Sequence, residues 1–410
     1  MQKGKEINKL DKFLHVLITV VFISILLVPN KFKAYSIVLL FTISVYRFVK
    51  FGSKGFNYKG LLSITSIYWV FSLSILFSNN LSEGIFRLTT MLPLLVVPSS
   101  FYLLKKSGFY LDKMFVKRIF MMFAFSNVLF FLITFIYFYN QEFNFTETII
   151  HYSNLINVRL GLYALHPIYF SIYIGISLIS LLYYFLNEFS FKKKFAYLLF
   201  MLILLIILSI LMRKGPMIYL MLAVFLLGIK YMNYKSTIIT ILLITITSIS
   251  VINYFPKYKD YNRFYELFEI NNDTANTSTN IRLTIYKCSL EKILERPFGY
   301  GVGSTQENLD ICYLNNSLDL SKKTYNSHNQ YLSFLLTSGI VGFFIISYFI
   351  TKKIYYLKNK KKYFAISVLV FILLNFITEN VIERENGAIL YGFIISLFTF
   401  YEYEEPKTSS

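Results

Sequence analysis

Residues 193–255 read KKFAYLLFMLILLIILSILMRKGPMIYLMLAVFLLGIKYMNYKSTIITILLITITSISVINYF. Three apolar runs, 193–212, 215–231 and 236–255, follow one another with only Arg213-Lys214 and a short polar turn near Asn233 between them. A membrane-crossing helix needs about 20 predominantly apolar residues. Runs of that length cannot be buried in an ordinary soluble core, so the stretch reads as three consecutive spans. The same pattern recurs outward in both directions: 13–30, 34–51, 61–77, 84–104, 115–139 and 162–187 before it, and 328–351, 361–378 and 387–403 after it. The expected fold is all-α and polytopic, with about twelve spans. Composition agrees: 56% of the 410 residues are hydrophobic and 15% charged, which excludes a soluble domain of this size. The first span follows a basic leader, but Val28-Pro29-Asn30-Lys31 lacks a cleavage pattern, so it reads as a retained anchor.

The net charge of +19 suggests nucleic acid only until the charges are located. With the N-terminus inside, the inner segments hold 25 Lys and Arg and the short outer loops 7. That asymmetry is the positive-inside rule, so the basic residues orient the protein and no nucleic-acid partner is expected. It places both termini in the cytoplasm and the long polar stretch Pro256–Ser327 outside. The chain therefore divides into spans one to nine (1–255), a large outer loop with short helices (256–327), and spans ten to twelve with a cytoplasmic tail (328–410). A second outer loop runs from Asn140 to Gly161. Cys288 and Cys312 both lie in the large loop, where oxidation is possible, but spacing cannot show whether they pair.

Inside that loop, Asn271 to Asn280 reads as a polar turn. A helix is expected over Ile281–Glu295, with Thr279 or Asn280 as N-cap and Pro297 as terminator. Gly299, Gly301 and Gly303 then form a tight turn, since no strand precedes them and no nucleotide fingerprint is present.

His328 opens the tenth span. On a continuous helix His328, Leu332, Leu335, Gly339 and Gly342 form a stripe about 80° wide, with the glycines admitting a neighbouring helix. A neutral imidazole there could accept a proton from a hydroxyl, or simply cap the helix. Arg213, with Lys214, opposes the charge rule in a very short outer turn; it binds an anion or snorkels. Arg282 falls in the first turn of the loop helix, where an arginine either serves a bound anion or is solvated. Arg87, Arg159 and His166 lie near outer span ends, where ionisable groups are costly. Glu379, Glu383 and Glu385 read as a solvated acidic turn that could also supply a carboxylate partner. No metal-ligand spacing occurs, so the reading is metal-independent and without cofactor.

In order along the chain, these positions resemble the O-antigen ligase and polymerase family of bacterial envelope glycosyltransferases. His328-Asn329 followed by Gly339-Ile340-Val341-Gly342 fits the family's histidine motif, and Arg213 with Met217 fits its arginine motif. Arg282 leading to Pro297-Phe298-Gly299-Tyr300-Gly301-Val302-Gly303 is similar to its arginine and proline-glycine segment. Arg159 and His166-Pro167 resemble a looser pattern. The resemblance implies a donor glycan on undecaprenyl diphosphate and an acceptor hydroxyl on lipid A–core or on another lipid-linked glycan. It implies an inner-membrane enzyme with a periplasmic site in which His328, Arg213 and Arg282 are catalytic. Asn329, Arg159, His166 and Arg87 would add substrate contacts, and Gly301, Gly303, Gly339 and Gly342 would shape the motif. Ligase and polymerase are not separated by these motifs. A lipid-linked glycan transporter is the rival from another class, although neither the two related halves nor the mid-membrane charges of such carriers are evident.

Overall fold

A computed structural model describes residues 2–52, 58–141, 144–254, 278–316 and 324–400. Among them the chain is all-helical. The helices are α1 (Gln2–Leu27), α2 (Asn30–Phe51), α3 (Tyr58–Ser74), α4 (Leu81–Met91), α5 (Pro93–Lys106), α6 (Lys113–Tyr139), α7 (Phe145–Val158) and α8 (Pro167–Leu186). They continue with α9 (Phe191–Leu211), α10 (Lys214–Tyr231), α11 (Tyr234–Tyr254), α12 (Ser278–Glu295), α13 (Thr305–Asn316), α14 (Gln330–Asn359), α15 (Tyr363–Asn375) and α16 (Glu385–Phe400).

Nine segments among the described residues are long and apolar enough to cross a membrane. Three shorter apolar helices, Tyr234–Thr247, Tyr363–Asn375 and Glu385–Phe400, stand where the ninth, eleventh and twelfth spans are expected. The fourth expected span is not one rod. It breaks at Leu92 into α4 and α5, because Pro93 has no N–H to continue the ladder and instead starts a new helix. The outer loop 140–161 also contains a helix. Asn144 and Glu147 form a capping box for α7, and its buried Thr148, Ile149, Tyr152, Leu155 and Ile156 recur at helical spacing.

α8 is the hub of the bundle. It is buried along nearly its whole length, wrapped by α6, α7, α9, α10 and α15. Polar contacts tie the ends of the bundle. At one end Arg47 donates to Asp11 and to Ser107, joining α1, α2 and the α5–α6 turn. Lys117 pairs with Glu188 at 3.2 Å.

The large loop departs from expectation within its described parts. Its helix begins at Ser278, so Thr279 and Asn280 are inside it rather than capping it, and Arg282 lies in the second turn. The expected polar turn lies outside the described residues up to 277. A second helix, α13, turns back along α12, and Cys288 is bridged to Cys312 across the pair. Ile285, Tyr300, Leu309, Tyr313 and Leu336 close a small separate core around the disulfide.

α14 is not continuous either. Gly339 has φ 66° and ψ −174°, which interrupts the helix. The Pro297–Gly303 segment takes over the exposed backbone groups: Tyr300 N–H bonds Leu336 C=O at 2.7 Å, Gly301 N–H bonds Thr337 C=O at 3.0 Å, and Ile340 N–H bonds Pro297 C=O at 2.9 Å. A Cβ on Gly339 would stand 2.3 Å from the Phe298 carbonyl carbon, and one on Gly301, at φ 80°, would stand 2.3 Å from Ser78 Oγ. A Cβ on Gly303 would meet the Asn80 carbonyl, and one on Gly342 would approach Val70 of α3. Gly339, Gly301 and Gly303 thus mark places where backbones meet, and Gly342 one where side chains crowd the helix. The single helical stripe from His328 to Gly342 does not exist, because His328 precedes the helix and Gly339 breaks it.

Candidate active site

The site forms where α14 starts, against the turn 376–384 between α15 and α16. Asn329 caps α14: its side-chain oxygen accepts from Tyr331 N–H at 2.9 Å and Leu332 N–H at 3.2 Å. His328, one residue earlier, is held at φ 43°. Its N–H donates to Asn326 Oδ1 at 3.1 Å, while the Ser327 hydroxyl donates to Asn329 C=O and to Asn380 Oδ1. A non-glycine residue in the left-handed region is held there at some cost by its neighbours.

The facing turn is equally constrained. Gln330, fully buried, bonds through its N–H to Phe376 C=O and through its side chain to Glu383 and the Ile382 N–H. The Ser333 hydroxyl also donates to Glu383. The Tyr169 hydroxyl donates to the carbonyls of Asn380 and Val381. Tyr286 of α12 reaches in from the loop, its hydroxyl 3.4 Å from His328 C=O and 3.3 Å from Ile377 C=O.

These constraints bring Glu379 to His328. Glu379 Oε2 lies 3.5 Å from His328 Nδ1, with the carboxylate side chain 1% exposed and the imidazole 20% exposed. Both atoms are buried, and neither makes a well-formed hydrogen bond among the described residues. The expectation of a solvated acidic turn is therefore overturned at Glu379, because turn 376–384 folds inward under Gln330, Ser333 and Tyr169. Burial raises the carboxyl pKa, but contact with His328 and the charges of His166 and Arg384 outweigh it. Glu379 stays well below the ordinary carboxylate range. With Nδ1 turned to Glu379, Nε2 is the ring nitrogen left for a substrate.

Cations gather around this pair. Arg213 is the N-cap residue of α10 and donates through Nη2 to Ser153 of α7 at 2.7 Å. The same turn touches the Glu379 segment, since a Cβ on Gly215 would stand 2.9 Å from Thr378 Oγ1. His166, N-terminal to α8, feels Glu379, Arg213, Arg384 and His328, which places all five in one electrostatic neighbourhood. Burial, and then the nearby cations, hold its pKa at about 4 despite Glu379. Arg282 sits one turn before Tyr286, and its charge acts on that phenol. The arrangement offers guanidinium donors for an anion beside an imidazole backed by a carboxylate.

Other expected residues fall elsewhere. Arg87 pairs with Glu83 at 2.7 Å on α4, and its charge reaches Asp310 of α13 rather than the His328 group. Arg159 is the exposed C-cap residue of α7. Asn329 spends its side-chain oxygen on capping. Sequence reading singled out neither Tyr286 nor Arg384; the only available signals were the i,i+4 spacing from Arg282 and a cation in an outer turn. Among the described residues no group of three His, Cys, Asp or Glu side chains is placed to hold a metal ion.

A family model described as O-antigen ligase matches residues 199–347. That range contains Arg213, Arg282, His328, Asn329, Gly301, Gly303, Gly339 and Gly342, and leaves out Arg87, Arg159, His166 and Glu379. No curated protein matches the chain.

Proposed function

We propose, from the premise that residues 199–347 form an O-antigen ligase family domain, that this membrane protein moves a glycan from undecaprenyl diphosphate to a sugar hydroxyl. The acceptor is lipid A–core or a related envelope glycan, and the reaction runs on the outer face of the inner membrane. The observation that carries the proposal is the convergence of Arg213, His328 and Glu379, with Arg282 one helical turn from Tyr286, at one end of the bundle. The distribution of basic residues and the Cys288–Cys312 bridge support the outer face, since structural disulfides persist in oxidising compartments.

In this mechanism Arg213 and Arg282 hold the diphosphate, and Arg384 adds positive potential. Their planar donor forks match phosphate oxygens and stabilise the charge that develops as the diphosphate leaves. His328 Nε2 takes the proton of the acceptor hydroxyl, while Glu379 holds the ring and stabilises the imidazolium that forms. The acceptor oxygen bonds to the anomeric carbon as the bond to the diphosphate oxygen breaks on the opposite face, which gives inversion. The diphosphate is already an activated leaving group, so neither metal nor nucleotide is required by this scheme. General-base assistance of this kind contributes about 10²- to 10⁴-fold.

The test is His328→Ala in cells and in purified protein, at matched membrane levels. The proposal expects lipid-linked glycan to accumulate and transfer to collapse; unchanged transfer removes His328 from the chemistry. Polymerase action is the second reading within the family. Attached single repeat units persisting after deletion of the gene would favour it, whereas loss of all attached glycan would favour ligation.

A further inference from the structure

We infer that the α12–α13 hairpin is a re-entrant element whose tip enters the lipid leaflet on the side of the active site, making the hairpin a ruler for a membrane-held diphosphate. α12 is tied to α14 at two heights. Tyr286 touches His328 C=O near the top of α14, and Pro297 C=O accepts from Ile340 lower down. The hairpin therefore runs alongside α14 toward the membrane and turns back at Pro297–Ser304. Depth follows from α14 itself, where Lys352 is the first charge after Gln330. From Lys352 up to Gly339 the helix rises roughly 20 Å at 1.5 Å per residue. The hydrocarbon layer is about 30 Å thick, so Gly339 and the hairpin tip beside it lie about 10 Å inside the leaflet.

The surface chemistry agrees. Toward its lower end the outer face of α12 carries Leu290 and Leu294, 53% and 80% exposed, beside the exposed Lys287, Glu291 and Glu295, and Phe298 beyond the helix is 66% exposed. Ile340, bonded to Pro297, and Val341 lie below the kink, 46% and 55% exposed on a membrane-spanning helix. Above the kink, residues 330–338 of α14 are buried or half-buried, packed against the hairpin, α3 and the turn after α15. Non-helical backbone at such depth is tolerated only when shielded by protein. Here Gly299 to Thr305 are buried, and the N–H groups of Tyr300, Gly301 and Gly303 are bonded.

The inference deepens the proposed function and rests on it for its purpose. Gln330, the first residue of α14, lies about 14 Å above Gly339 by helical rise, and His328 and Tyr286 sit at that end. They therefore stand several ångströms above the hydrocarbon, within the headgroup layer where the phosphates of a lipid donor reside.

The experiment uses the single tryptophan of the chain, Trp69. Trp69→Phe is combined with Phe298→Trp, and separately with Leu283→Trp near the top of the hairpin. Each protein is reconstituted into phosphatidylcholine vesicles with or without acyl-chain bromination. Phe298→Trp should lose at least half its fluorescence to brominated lipid and resist iodide; Leu283→Trp should show the reverse order. Iodide quenching of Phe298→Trp without bromine quenching overturns the inference. A retained Cys288–Cys312 bridge on non-reducing gels verifies the fold of each variant. No turnover is read, so a failure here leaves the transfer chemistry standing, and an active His328→Ala leaves the insertion standing.

Discussion

Replacing Glu379 by Gln keeps the volume of the side chain but removes the charge beside His328. At 3.5 Å, a full ion pair at an effective dielectric of 20 is worth about 5 kcal/mol. The imidazole side chain is 20% exposed, and solvent screening reduces that figure to roughly 2–3 kcal/mol. If His328 becomes cationic as it takes the acceptor proton, the loss falls on the transition state, and transfer should slow by about 30- to 150-fold. The assay is single-turnover transfer from a purified lipid-linked glycan to acceptor in nanodiscs, with wild type, Glu379→Gln, His328→Ala and the double variant at equal protein. Because the two groups act as a unit, the double variant should be no slower than His328→Ala alone. A Glu379→Gln rate within twofold of wild type would refute the coupling. So would a double variant slowed by the product of the two single effects.

Three further outcomes follow from the geometry. Arg213→Lys and Arg282→Lys keep the charge but lose the planar fork, so each should lower donor transfer at least about tenfold; full activity in both would remove the diphosphate role. His166 has its pKa lowered from 6.5 to about 4, so its neutral form contributes stability that is complete above pH 6.5 and is lost as the pH falls through 4. Moving from pH 7.5 to 5 should cost about 2 kcal/mol more in wild type than in His166→Gln, measured by thermal unfolding in detergent; equal slopes would show that His166 is not held neutral. Gly339→Ala places a Cβ 2.3 Å from the Phe298 carbonyl carbon at φ 66°. The backbone alone should cost about 1–3 kcal/mol, read as a fall in membrane level and melting temperature, whereas a neutral result would mean the kink is not fixed.

Much of the fold was legible in the chain. Long apolar runs must become helices in a membrane, because backbone groups in lipid can be satisfied only within a segment. The three motif residues His328, Arg213 and Arg282 were also visible, as was the asymmetry of the lysines and arginines. What failed was local continuity. Pro93 splitting the fourth span, and α7 within the outer loop, were present as ordinary signals that hydrophobicity concealed. The break at Gly339 had no local cause to read, since a glycine in an apolar helix is common; it exists because Pro297–Gly303, some forty residues earlier in the chain, supplies the missing hydrogen bonds.

The same division holds at the site. Sequence alone determined a polytopic helical architecture and an order of two arginines and a histidine that resembles the motifs of a glycan-transfer family, because residue type and order are local properties. Only tertiary structure decided that Glu379 turns inward to His328, that His166 and Arg384 join the group, and that Arg87 does not. An acidic turn written as Glu379, Glu383 and Glu385 is equally consistent with solvent until packing chooses which carboxylate is buried. Gln330, Ser333 and Tyr169 make that choice from distant parts of the chain, by occupying the hydrogen-bonding groups of the turn and leaving one charge facing the imidazole.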